Sequence, residues 1–222
     1  MFIPHFNQSA RTYDEYTPIQ YLCSHYLARF IHEHHPNENA FCDLGAGTGY
    51  LTQALMKFYP KASYHLIDCA PEMILTCQEK WGERCSYEVE DIQTAVYQGL
   101  PVSNFTFQWL REKPRFQRIA FTTLLKGTWA PWAHQAGKFG IHTHVFQEEG
   151  AWTSWMKENR MRFSFFTQTH TIVYKTVFDF LHTIRKMGGS GLYSSPQYLR
   201  PLLLSFKSEI VVPYKVLYVC SY

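Results

Sequence analysis

Phe41-Cys-Asp-Leu-Gly-Ala-Gly-Thr-Gly-Tyr-Leu-Thr52 is the stretch whose reading decides the fold. A short apolar run ends in Asp43, glycines stand at 45, 47 and 49, and apolar residues then recur at helical spacing. Glycine turns the backbone through conformations closed to other residues, and a ligand can approach it where a Cβ would collide. The helix that follows presents N–H groups with no partner inside the helix. The pattern is therefore a strand, a tight turn and a helix around a nucleotide-like ligand. Its spacing, Gly-x-Gly-x-Gly, differs from the dinucleotide pattern Gly-x-Gly-x-x-Gly. A second apolar run, Tyr64-His-Leu-Ile67, ends in Asp68, where a carboxylate can hold a ribose diol. Asp68 can also cap the helix that Pro71 begins.

The 222 residues are 46% hydrophobic and 17% aromatic, with a formal net charge of +3. That length fits one α/β domain, and so many aromatic residues suggest a binding surface as well as a core. No basic arm or Lys/Arg block points to nucleic acid. No apolar run nears the ~20 residues that span a bilayer. Met1-Phe-Ile-Pro-His5 carries neither a charged leader nor an apolar signal core. The six cysteines are scattered without a Cys-x-x-Cys pair, which reads as reduced thiols in a cytoplasmic protein.

The single domain is read as three stretches. Residues 1–36 form an N-terminal cover and helix, 37–126 a cofactor-binding core, and 127–222 a lid with the C-terminal half of the sheet. Apolar residues at 22, 26, 27, 30 and 31 predict a helix over 22–32. His32-Glu-His-His35 reads as its solvated end and not as a metal site, since no further ligand stands at a recognisable spacing. Strands are predicted at 40–44, 63–67, 85–89, 97–103 and 118–124, with helices over 50–58 and from Pro71. Such alternation implies a parallel sheet with right-handed crossovers. Its ligands bind beyond the carboxyl ends of the strands, the edge that Gly45, Asp68 and Asp91 share. About a dozen residues separate the fourth and fifth strands, so the covering helix there is very short or absent. Beyond them, 127–146 is rich in Trp, His and Gly and suits a lid. A helix is predicted over 147–158, a strand over 163–174, a helix over 177–186 and a strand over 210–219.

Asp43-Leu-Gly-Ala-Gly-Thr-Gly49, Leu66-Ile-Asp-Cys-Ala-Pro-Glu-Met73 and Glu90-Asp-Ile92 resemble, in order, the three motifs of the class I S-adenosylmethionine-dependent methyltransferases. Further segments resemble the malonyl-[acyl-carrier-protein] O-methyltransferase family of biotin synthesis. They are Thr12-Tyr-Asp-Glu-Tyr16, Ser103-Asn-Phe-Thr-Phe-Gln-Trp109, Ala120-Phe-Thr-Thr-Leu124 with Gly127-Thr128, Leu181-His-Thr-Ile-Arg-Lys-Met-Gly188 and Pro213-Tyr-Lys-Val-Leu-Tyr218. Relative to that family, the segments around residues 92–118 are shortened.

The resemblance implies a Rossmann-like α/β fold. A mostly parallel central sheet would end in an antiparallel C-terminal strand, with helices on both faces and a lid from the leader and the region after strand five. It implies S-adenosyl-L-methionine as cofactor, no metal, and acyl carrier protein bearing a malonyl thioester as partner. By the same resemblance, Gly45, Gly47 and Gly49 approach the methionyl part and ribose, and Asp43 orients their turn or the cofactor's amino group. Asp68 binds the ribose hydroxyls, Asp91 the adenine amine, and Ile92 lends a backbone contact. Asn104 sits beside the sulfonium or the acceptor, and Tyr13 folds over the cofactor. A carboxylate acceptor is already nucleophilic, so no general base is required and no catalytic residue is assigned; Asn104 and Tyr13 are positioning candidates. Two other readings stay open: the same chemistry on another small acceptor, and a non-catalytic module that binds the cofactor.

Overall fold

A computed structural model describes residues 3–110, 112–189 and 196–222. Apolar runs bounded by Gly, Pro and Asn form the strands Ala40–Leu44 (β1), Ser63–Asp68 (β2), Ser86–Val89 (β3), Leu100–Asn104 (β4), Ala120–Leu124 (β5), Phe163–Tyr174 (β6) and Ile210–Ser221 (β7). They hydrogen-bond into one sheet of order β3-β2-β1-β4-β5-β7-β6. The first five run parallel, and β7 enters antiparallel between β5 and β6. From β1 the chain proceeds outward to β2 and β3, then returns to the other side of β1 for β4 and β5. The switch point lies between β1 and β4, and a crevice opens at the carboxyl ends of such a pair.

The helices are Ile3–Ser9 (α1), Tyr13–Tyr16 (α2), Pro18–His34 (α3), Tyr50–Phe58 (α4), Pro71–Trp81 (α5), Ala130–Lys138 (α6), Glu149–Glu158 (α7), Val177–Lys186 (α8) and Pro196–Leu204 (α9). Their ends follow local chemistry. Pro18 and Pro71 take first-turn positions, where a missing N–H costs little. Thr176 and Asp179 form a reciprocal capping box at the start of α8. Among the described residues, no helix is long and apolar enough to cross a membrane. All six cysteines are unpaired.

One face of the sheet packs Phe41, Leu66 and Val102 under Leu27 and Ile31 of α3 and Leu51 and Leu55 of α4. The opposite face is built differently. No helix intervenes between β3 and β4, and among the described residues between β4 and β5 there is a single 3-10 turn, Phe107–Trp109. Cys42, Leu44, Ile67 and Phe121 are nevertheless fully buried, because Ile92, Phe107 and Phe116 from these short connections and Trp152 and Trp155 from α7 lie over them. Towards the β2–β3 edge the same face turns polar. His65 Nδ1 lies 2.7 Å from Ser86 Oγ and its Nε2 lies 3.1 Å from Glu88 Oε2. Aromatic side chains thus stand in for a covering helix where the sheet is apolar, and polar ones take over towards the β2–β3 edge.

Three expectations change. The helix predicted over 22–32 is longer at both ends, as α3, with α1 and α2 preceding it in the N-terminal cover. The fourth strand begins at Leu100 instead of Tyr97, because Gly99 takes φ +86° with no room for a Cβ against the Ala40 carbonyl. The histidines at the C-terminal end of α3 are packed. His32 stacks on Phe58 with centroids 5.0 Å apart, and His35 Nε2 lies 2.7 Å from the Ser221 carbonyl oxygen.

Candidate functional site

The three glycines of the turn after β1 all take left-handed backbone, with φ +68° at Gly45, +56° at Gly47 and +83° at Gly49. They are glycine for different reasons. A Cβ on Gly45 would collide with the Thr106 side chain, and one on Gly49 with the Trp81 ring. Packing inside the protein requires both. A Cβ on Gly47 would meet nothing within 4 Å. There the turn faces open space, and a ligand can lie directly against the backbone.

Asp68, at the end of β2, stands beside that opening. Its Oδ2 accepts a hydrogen bond from Gly47 N–H and its Oδ1 one from Ala70 N–H, each 2.8 Å. One carboxylate therefore ties the glycine turn to the start of α5, so its capping role is real. Each oxygen can still accept a second hydrogen bond. Burial pushes the Asp68 pKa up, and the two backbone donors oppose that. Tyr13 lies within electrostatic reach: burial first, then Tyr50, Asp68 and Asp14, hold its phenol protonated well above the ordinary tyrosine range.

Asp43 is buried one layer below. Its Oδ2 accepts a 2.7 Å hydrogen bond from Thr52 Oγ1, so it braces the first turn of α4. Burial lifts its pKa to about 7, against the pull of the Thr52 hydrogen bonds. Asp91 sits in a turn: its Oδ1 accepts from Gln93 N–H at 3.0 Å and its carbonyl from Thr94 N–H at 2.9 Å. The Ile92 side chain is buried in the core of the far sheet face. Asn104, at the end of β4, spans two elements. Its Nδ2 donates to the Gln20 carbonyl at 3.0 Å and its Oδ1 accepts from Thr122 Oγ1 at 2.7 Å. Gly47 and Asp68 thus meet at the open side of the turn with Tyr13 within electrostatic reach, Asp43 braces α4, Asn104 ties β4 to α3 and β5, and Asp91 stands in the turn after β3.

Sequence reasoning passed over the group that closes the leader onto this turn. Asp14 accepts from Thr48 Oγ1 and from Lys80 Nζ, and its carbonyl accepts from Tyr50 O–H. Asp14 lies inside Thr12-Tyr-Asp-Glu-Tyr16, which was a signal; nothing local to Lys80 was one. Next to the opening, an aromatic pocket is lined by Tyr13, Phe105, Trp109, Trp129 and Tyr214 with Gln20.

Residues 41–119 match the family described as Methyltransferase domain, a stretch from β1 to the threshold of β5. A malonyl-[acyl-carrier protein] O-methyltransferase of Priestia megaterium is 26% identical over 95% of this chain and 87% of that protein. One of Anoxybacillus flavithermus is 36% identical, over 47% of this chain and 41% of that protein. Among solved structures, plantazolicin methyltransferase in complex with a monoazolic desmethylPZN analogue and SAH superposes with a TM-score of 0.56, covering 97% of this chain and 90% of that one. Identity there is 11%, so the likeness is one of fold.

Proposed function

We propose that the chain is a class I S-adenosylmethionine-dependent methyltransferase that esterifies the free carboxylate of a malonyl thioester carried on acyl carrier protein. One observation carries this reading. The likeness to the Priestia megaterium protein runs over 95% of the chain, and so extends past the cofactor motifs through the segments that wall the aromatic pocket.

S-adenosylmethionine supplies a methyl group on positively charged sulfur. The residues present fit it: the open face of Gly47 gives the close approach, within the turn that Gly45 and Gly49 shape. Asp68 would take the ribose hydroxyls on the lone pairs its backbone donors leave, and Asp91 would take the adenine amine beside the Ile92 backbone. Asp43 holds the turn, Asn104 fixes the wall between cofactor and acceptor, and Tyr13 covers both. In such a transfer an acceptor carboxylate oxygen would bond to the methyl carbon as the carbon–sulfur bond breaks, leaving a neutral ester and an uncharged sulfur. No proton moves, so orientation is the main task of the protein.

Incubation with malonyl-loaded acyl carrier protein and S-adenosylmethionine should give the methyl ester, read by mass spectrometry. The gene should also rescue a biotin-requiring strain that lacks this step. Asp68→Ala should weaken cofactor binding and slow ester formation together. Intact cofactor binding with no ester and no rescue would overturn the proposed acceptor.

A further inference from the structure

The pocket beside the glycine turn is unusual in its walls and in its polar groups. Among the described residues, its lining contains no Lys, Arg, His, Asp or Glu. Among the described residues, three that are not glycine take left-handed backbone, and two of them, Phe105 (φ +58°) and Trp129 (φ +59°), line this pocket. That conformation is costly for an aromatic residue and persists where its surroundings enforce it. Here hydrogen bonds do so. Phe105 N–H donates to Thr122 Oγ1 at 3.1 Å, the Phe105 carbonyl accepts from Gln108 Nε2 at 2.6 Å, and Trp129 N–H donates to the Pro213 carbonyl at 2.9 Å. The aromatic walls are held in place against strain.

Two carboxamides reach this space. Gln108 is engaged at both ends, since its Oε1 also accepts from Thr123 Oγ1 at 3.2 Å. Gln20 is different. Its backbone carbonyl is fixed by Asn104 Nδ2, which Thr122 in turn orients. Its side-chain Nε2, however, donates to Met187 Sδ at 3.7 Å, a long bond to a weak acceptor. A rigid backbone carries an amide donor that would gain by moving to an oxygen.

We propose that Gln20 is the residue that orients the methyl acceptor, its side-chain N–H exchanging the Met187 sulfur for an oxygen of the acceptor's carboxylate between the rings of Phe105, Trp109 and Trp129. This rests on the reading of the chain as a carboxylate methyltransferase. A neutral donor suits that reaction. The transfer consumes the negative charge of the acceptor, so a cation in the pocket would stabilise the ion before reaction more than the transition state. A neutral amide fixes direction without that penalty, and apolar walls keep water from the carboxylate.

The test uses the full chain with Gln20→Met, which keeps side-chain length but removes the donor, and Gln20→Glu, which sets a carboxylate against the acceptor. Steady-state kinetics with malonyl-loaded acyl carrier protein are paired with calorimetric titration of S-adenosylhomocysteine. Gln20→Met should lower kcat/KM for the carrier substrate about 10- to 100-fold, the range for a hydrogen bond to a charged group. Gln20→Glu should lower it further, and both variants should bind S-adenosylhomocysteine within about twofold of wild type. Unchanged kcat/KM in Gln20→Met overturns the assignment and leaves the acceptor reading standing. Loss of S-adenosylhomocysteine binding in Gln20→Met also overturns it, since Gln20 would then act through Asn104 and the fold. A wild-type protein that makes no ester overturns the acceptor reading and the assignment resting on it.

Discussion

The carboxylate of Asp14, in the leader, accepts a 2.5 Å hydrogen bond from the hydroxyl of Thr48, inside the glycine turn. Lys80 Nζ completes the join, donating to Asp14 Oδ2 and to the Thr48 carbonyl at 2.9 Å each. A helix of four residues such as α2 has no stability of its own. It is held by what it touches, which is α8 and α3 on one side and, through Asp14, the glycine turn on the other. Because Tyr13 precedes Asp14, the same join sets the position of the Tyr13 ring, which lies against Tyr50 with centroids 6.5 Å apart and within electrostatic reach of Asp68.

Asp14→Ala should therefore loosen the cover more than the fold. Lys80 and Asp14 are 34% and 44% exposed, so their ion pair adds little to global stability. The melting temperature should fall by no more than about 2–4 °C, the shift that ~1 kcal/mol gives in a domain of this size. Affinity for S-adenosylhomocysteine should fall about 5- to 30-fold, as expected when one or two hydrogen bonds that order a covering element are lost. Calorimetry beside a melting curve separates the two effects. Unchanged affinity, or a melting temperature that collapses, would show that Asp14 is not a latch.

Gly45 and Gly47 give a sharper contrast. Both have positive φ, yet a Cβ at Gly45 collides with Thr106 while one at Gly47 points into open space. Gly45→Ala should cost several kcal/mol of stability, being both strained and overpacked. Gly47→Ala should cost only the backbone strain, about 1–2 kcal/mol, and remain folded. Its loss should appear in cofactor affinity, down tenfold or more, because the added methyl fills the approach to the turn. Thermal unfolding and calorimetry of both variants check this, and Gly47→Ala with wild-type affinity would remove Gly47 from the proposed site.

What the sequence makes legible follows from where each element finds its partners. β6 and α8 can be bounded from local pattern alone, since Phe163–Tyr174 alternates and Thr176 with Asp179 caps the helix. The leader cannot, because α1 and α2 dock on α5 and α8 instead of on the sheet, and so carry no apolar repeat. The positions of Asp43 and Asp68 at strand ends are legible, but the direction of their carboxylates is not: each turns to a backbone or hydroxyl donor on another element. Asn104 is bonded to Gln20, 84 residues away, and to Thr122, 18 away. No local spacing encodes such pairs. The short connections around 92–118 are visible as a deficit in length, whereas the aromatic residues that compensate, Trp152 and Trp155, come from a helix beyond β5.

Asp43 makes the folded chain sensitive to pH in a definite direction. Burial lifts its pKa from 3.8 to about 7, so the folded protein keeps it protonated over a range where the unfolded chain ionises it. The stability that its protonated form contributes is fully present below pH about 4, is lost as pH rises towards about 7, and changes no further above that. A tenfold change in proton affinity is worth about 1.4 kcal/mol, so the loss is of the order of a few kcal/mol. Asn at this position cannot ionise, and its carbonyl can still accept from Thr52. Asp43→Asn should match or fall slightly below wild type in melting temperature near pH 4.5, then gain on it steadily to pH 7.5. Other titrating groups cancel in that difference. A gap that stays flat across the range would mean that Asp43 is ionised in the folded protein at all these pH values.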